Sequence, residues 1–166
     1  MNIPDSECPV PKDQRPMNEY HSLKSSVFFL WTTKSTLFYL QDIILCTIPV
    51  YLLINALVNA SIANSETPLN GLLYTFILCS VLLVPVFLRI YLGWLYVYER
   101  LIKASVSYEE SGWYDGKTWV KSPENLIQDK LIAKYQLLPI INRLKTSLKL
   151  FLGACVCTLS YLHWSE

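Results

Sequence analysis

The sequence predicts a mainly α, integral membrane fold: three transmembrane helices, with a small α+β polar segment between the second and the third. Three observations carry this. Charged residues make up 16% of the 166 and hydrophobic ones 52%, whereas soluble domains carry about 25% charged. The apolar residues gather in three long runs. All fourteen Lys and Arg residues fall either up to Lys34 or between Arg89 and Lys149. One compact domain fits this length, and a net charge of +1 offers no whole-chain attraction to nucleic acid.

Residues 1–36 form an N-terminal polar and interfacial segment. Its first sixteen residues hold Asp5, Glu7, Asp13 and four prolines with no apolar run, unlike a secretory signal or an Arg/Ser-rich transit peptide. Insertion is therefore expected through internal spans. The first is 37–58. Ile43–Val58 is free of charge but shorter than the ~20 residues that cross a bilayer, so Leu37–Leu40 completes it and Asp42 sits about one turn inside. Pro49 predicts a kink. Asn59–Gly71 reads as a loop on its Asn, Ser, Pro and Gly content.

The second span is 72–98, charge-free from Leu72 to Leu88 and then rich in aromatics. Carried on to about Lys103 as one helix it is about 48 Å long, more than the ~30 Å hydrocarbon core. Its last turns are expected to leave the membrane, with Tyr91, Trp94, Tyr96 and Tyr98 at headgroup level.

Residues 103–147 are the one sizeable polar segment. Ala104–Tyr108 alternates with the period of a strand, and Tyr114–Lys117 carries an Asp-Gly turn between Trp113 and Trp119, which together predict a short β-ribbon. Ser122–Pro123–Glu124 is a helix start: capping hydroxyl, proline at the first position, acid in the first turn. Ile127, Leu131, Tyr135 and Leu138 then form one apolar stripe, with Lys130 and Lys134 off it. Such a helix lies on the membrane surface or packs on the ribbon, and Pro139 ends or kinks it. The third span, 148–164, is flanked by Lys145 and Lys149 and ends at Tyr161 and Trp164. Gly153, Ala154, Thr158 and Ser160 suggest helix–helix contact.

Three spans place both basic regions on one side, as the positive-inside rule requires. The N-terminus and 89–149 then face the side of synthesis, and the short loop and Glu166 the other.

Few residues carry recognisable chemistry. Cys46, Cys79, Cys155 and Cys157 lie in apolar runs and Cys8 stands alone, a pattern of reduced thiols. Cys155 and Cys157 point about 200° apart on a helix and cannot share a metal or a disulfide. His21 and His163 belong to opposite ends of the membrane, about 30 Å apart, and cannot ligate one haem; His163 alone leaves a chlorophyll ligand open. Asp42 and Arg89 are the charges nearest the hydrophobic core, hence candidate functional charges, although snorkelling explains them equally. Glu109, Glu110 and Asp115 read as a solvated acidic turn. No Glu-x-x-His, phosphate loop or Ser/His/Asp set accompanies them, so no catalytic, cofactor or metal residue is assigned.

Two polar stretches resemble a known family. Cys8–Tyr20, followed by Leu23, Ser26, Phe28, Phe29 and Trp31, resembles the hypothetical chloroplast reading frame thirty-six family, as does Tyr108–Lys121. That family is similar to the proteins called conserved in green lineage and diatoms twenty-seven. The resemblance covers roughly Cys8–Leu144. It implies a plastid or cyanobacterial membrane protein, in a plastid the thylakoid, made inside the organelle with its N-terminus and 89–149 stromal and its C-terminus lumenal. It carries over no catalytic residue. The leading expectation is a non-enzymatic accessory or assembly factor of a photosynthetic membrane complex, with lipids and other thylakoid membrane proteins as partners and Trp113, Tyr114, Asp115 and Trp119 as a docking surface. The alternatives are a membrane enzyme or redox protein linked to iron use, and a pigment-binding subunit using His163.

Overall fold

A computed structural model describes residues 9–62, 68–109 and 116–165. In chain order these form α1 (Pro16–Ser25), the short α2 (Val27–Leu30), α3 (Thr36–Ile62), α4 (Pro68–Ile102), β1 (Ser105–Glu109), β2 (Gly116–Val120), α5 (Pro123–Ile132) and α6 (Leu138–Ser165). The chain divides into two compact units. One comprises 1–30 and 92–141, the other 31–91 and 142–166.

The second unit holds the apolar helices. Among the described residues two helices, α3 and α4, are long and apolar enough to cross a membrane, not the three expected. The stretch 148–164 does form helix, as part of α6. Its apolar run is short, however: Lys149 stands at one end, and Ser160, Tyr161, His163 and Trp164 crowd the other. α3 and α4 also replace most of the expected loop at 59–71, because the helix runs on to Ile62 and restarts at Pro68. Two polar residues there bond within α3: Asn59 Nδ2 donates to Asn55 Oδ1 (3.3 Å) and Ser61 Oγ to the Leu57 carbonyl (3.0 Å). Pro68 takes a first-turn position, where no N–H is needed.

Ile54 and Val58 of α3 pack on Cys79 of α4, with Val50, Tyr51, Tyr74 and Leu83 around them. Buried Thr75 donates to the Gly71 carbonyl (2.8 Å). α6 is tied into this unit near Tyr39, whose hydroxyl lies 3.0 Å from Ser147 Oγ. Trp31 stacks on the same ring at 5.4 Å, and the Arg143 guanidinium lies 5.5 Å from its centroid.

In the other unit β1 and β2 form an antiparallel ribbon, with Val106 opposite Trp119 and Glu109 opposite Gly116. Gly116 and Lys117 are therefore strand residues and not part of the expected turn, while Glu110 and 111–115 lie outside the described residues. Ser122 caps α5, its Oγ accepting from the Asn125 N–H. Pro139 does not end the helical run. Proline cannot donate to the carbonyl four residues back, and its ring crowds that carbonyl. A π-helical turn at Ala133–Leu137, in which the Leu138 N–H reaches the Ala133 carbonyl, absorbs the misfit before α6 continues.

Candidate functional site

The end of β2 delivers Lys121 to the last turn of α4. Its backbone N–H donates to the Ala104 carbonyl (2.9 Å). Its Nζ donates to the carbonyls of Arg100 (3.0 Å) and Leu101 (3.1 Å) and to Asp129 Oδ2 (2.6 Å). An ammonium has three donors, and all three are used. The last carbonyls of a helix lack intrahelical partners and sit at its negative end, so a cation belongs there. Both side chains are nearly sealed from solvent, at 2% and 8% exposure. Burial pushes the Asp129 carboxyl above its ordinary range, and the Lys121 ammonium pulls it part of the way back.

A second clasp centres on Arg100. Its guanidinium donates to Glu19 Oε1 (2.5 Å) and the Tyr96 hydroxyl (2.7 Å) through one nitrogen, and to the carbonyls of Gln14 (3.0 Å) and Ser107 (3.2 Å) through another. Glu19 Oε2 is buried with no hydrogen-bond partner among the described residues. Burial raises the Glu19 carboxyl above its ordinary range against the opposing pull of Arg100. Gln14 pairs with the backbone of Glu109 in both directions, donating to its carbonyl (3.0 Å) and accepting from its N–H (2.9 Å). The Tyr20 hydroxyl donates to Gln136 Oε1 (2.7 Å) in the π turn. The N-terminal segment is thus bonded to β1, α4 and the π turn, and an open polar notch of about 150 Å³ beside Arg100 is lined by Tyr96, Glu99, Lys103 and Ser107.

The residues singled out in the sequence fare differently. Trp94, expected at headgroup level, is fully buried, 6.2 Å from the Tyr20 ring and 5.8 Å from Phe29. Trp119 is half-buried against Val10, Val106 and Tyr108. Trp113, Tyr114 and Asp115 lie outside the described residues. Asp42 pairs with Lys34 at 2.7 Å, and Arg89 is exposed on α4, so the two candidate charges are not paired with each other. His21 is exposed with its ring 5.3 Å from Tyr20, and His163 is exposed in the last turn of α6. Among the described residues no three His, Cys, Asp or Glu side chains gather as a metal site, and Cys46, Cys79, Cys155 and Cys157 are free thiols. Lys121, Asp129, Arg100 and Glu19 escape a reading of the sequence, because Arg100 meets Glu19 from far along the chain and Lys121, after β2, meets Asp129 inside α5.

The expected stripe on α5 also takes another role. Ile127, Leu131 and Tyr135 are exposed, while Asp129, Ala133 and Leu137 are buried. The helix therefore packs by the face opposite its most apolar one, and the stripe is not packed on the ribbon.

The chain is similar to known proteins over most of its length. The family described as CGLD27-like, conserved in the green lineage and diatoms 27, matches residues 8–150. The ycf36 protein of Porphyra purpurea is 41% identical over 148 residues, 89% of this chain and 90% of that one. The ycf36 protein of Cyanophora paradoxa is 45% identical over 144 residues, 85% of this chain and 89% of that one. In Arabidopsis thaliana the protein conserved in the green lineage and diatoms 27, chloroplastic, is 42% identical over 146 residues, 87% of this chain and 45% of that one. No solved structure gives a significant match.

Proposed function

The chain belongs to the CGLD27-like family, and from that premise we propose that it is a plastid membrane protein serving as an accessory or assembly factor of a photosynthetic complex, with no chemistry of its own. The plastid location draws on the chloroplastic Arabidopsis relative. The membrane draws on α3 and α4, whose most apolar stretches are only 17% and 22% buried. Leu37, Leu45, Leu53, Leu57, Val81 and Leu82 project from them. Core helices of soluble proteins bury such side chains, because each costs about 1.5–3 kcal/mol left in water.

The observation that carries the accessory role is the use made of the buried charges. Lys121, Asp129, Arg100 and Glu19 spend their hydrogen bonds holding the polar unit together and fixing it to the end of α4. That construction suits a binding platform, with the aromatic ribbon as the docking surface. The thylakoid is the membrane this reading assigns.

The test is co-migration of the native protein with a photosynthetic complex on a native gel. Trp113→Ala is expected to release it while total abundance is unchanged; retained co-migration sinks the docking surface. Stoichiometric iron or chlorophyll in the isolated protein would replace this reading with the redox or the pigment one.

A further inference from the structure

We infer that the exposed face of α5 and the π turn after it is an in-plane anchor for a lipid surface carrying anionic headgroups. The inference rests on the reading that α3 and α4 cross a membrane. Ile127, Leu131 and Tyr135 are 61%, 51% and 69% exposed. They stand four residues apart, on one side of a helix whose other side, Asp129, Ala133 and Leu137, is buried in its own unit. The stripe is therefore fixed in direction and, among the described residues, left without a covering element. Lys130 and Lys134 are exposed and each immediately precedes a stripe residue, so their Cα positions lie along one edge of it. Long lysine stems reach from an apolar surface to headgroup phosphates, and a tyrosine at the boundary places its ring in the apolar layer and its hydroxyl in the wet one. Of the two acids of the helix, Asp129 is buried on Lys121 and Glu124 occupies the first turn, where the helix dipole favours it.

A lipid surface fits this face better than a protein does. Stable protein interfaces bury about 800 Å² per partner, more than one row of three side chains offers. The flanking lysines match anionic lipid in sign.

The test uses the full chain reconstituted in vesicles of seven parts phosphatidylcholine to three parts phosphatidylglycerol, with a genetically encoded diazirine amino acid at position 131 or 135. After irradiation the expected product is the chain plus one intact phospholipid, with phosphatidylglycerol captured at least threefold above its share of the bilayer. Adducts to protein, or water addition alone, overturn the lipid anchor. Capture in proportion to the bilayer overturns the role of the lysines, and Lys130→Glu with Lys134→Glu is expected to abolish the enrichment. Extraction of the reconstituted chain at alkaline pH reads the premise separately. A chain that stays in the vesicles yet captures no lipid refutes the anchor alone, and a chain released refutes the spanning reading and the anchor with it.

Discussion

An ammonium inside a protein needs acceptors for three protons, and Lys121 finds them on two helices at once. Removing one partner of a buried ion pair strands the other charge, at about 3–5 kcal/mol, whereas replacing both with apolar groups is often neutral. Asp129→Leu is therefore expected to cost about 3–5 kcal/mol in urea unfolding of the polar unit, and Lys121→Met combined with Asp129→Leu to recover most of it. A double variant no more stable than the single one would mean that the carbonyl caps, not the pair, carry the clasp. The carboxyls of Glu19 and Asp129 give a pH dependence with a definite sign. Burial raises both, so the folded state holds their protons more tightly than the unfolded chain does. Their contribution to stability is full below the ordinary carboxylate range of about 4 and is lost as pH rises through the raised values. On going from pH 7 to pH 5 the wild type should gain melting temperature relative to Glu19→Gln with Asp129→Asn. A relative loss would reverse the assignment. Neither clasp was legible in the sequence, since a lone Lys or Asp announces burial only through a partner that folding supplies.

At the scale of elements, periodicity was a good guide to what forms and a poor one to what is buried. The alternation expected at 104–108 became a strand at Ser105–Glu109, and Ser122–Pro123 did start a helix. The stripe on that helix nonetheless faces outward, and Asp129, Ala133 and Leu137 take the buried side. The π turn was not legible at all: Pro139 said only that an ordinary turn was impossible, and not that a wider one would carry the helix past it. A two-stranded ribbon is marginal by itself, and this one leans on Val10, Val106, Tyr108 and Trp119. Trp119→Ala is accordingly expected to cost about 2–3 kcal/mol, below the range for a fully buried tryptophan, and to lower abundance as well as docking. Normal abundance with speeded hydrogen exchange confined to 105–120 would locate the loss in the ribbon alone. Asp42 belongs to a different class. Its pair with Lys34 is 43% exposed on the lysine side, and such pairs are worth at most about 1 kcal/mol. Asp42→Asn should leave insertion and abundance intact, as should Arg89→Gln, if both serve only the membrane boundary. Lost function at normal abundance would give them a role within the membrane.

For the whole molecule, the proposed topology rests on the segregation of charge, and two spans serve it as well as three. The third expected span failed because an apolar stretch was judged by its middle, whereas Lys149 and the polar residues from Ser160 onward shorten it at both ends. The two helices that do qualify connect the basic N-terminal segment to the basic stretch beginning at Arg89 through a short link free of Lys and Arg. On the proposal that both cross, the chain returns to the side it left and both basic regions share one face whatever becomes of α6. At 35 residues α4 is long enough to do this and project further: about 52 Å at 1.5 Å per residue, against a core of ~30 Å. On the same proposal its charge-free part, Leu72–Leu88, is the crossing and Arg89 its exit. In vesicles oriented with the stromal face outward, Cys8 should therefore be modified by an impermeant maleimide without detergent, and a protease site inserted after Ser65 should be cut only once the vesicles are opened. Protection of Cys8 in sealed vesicles would invert the orientation. Cleavage at the inserted site without detergent would mean that α3 and α4 do not form a crossing pair, and their exposed leucines would then need a protein surface to cover them.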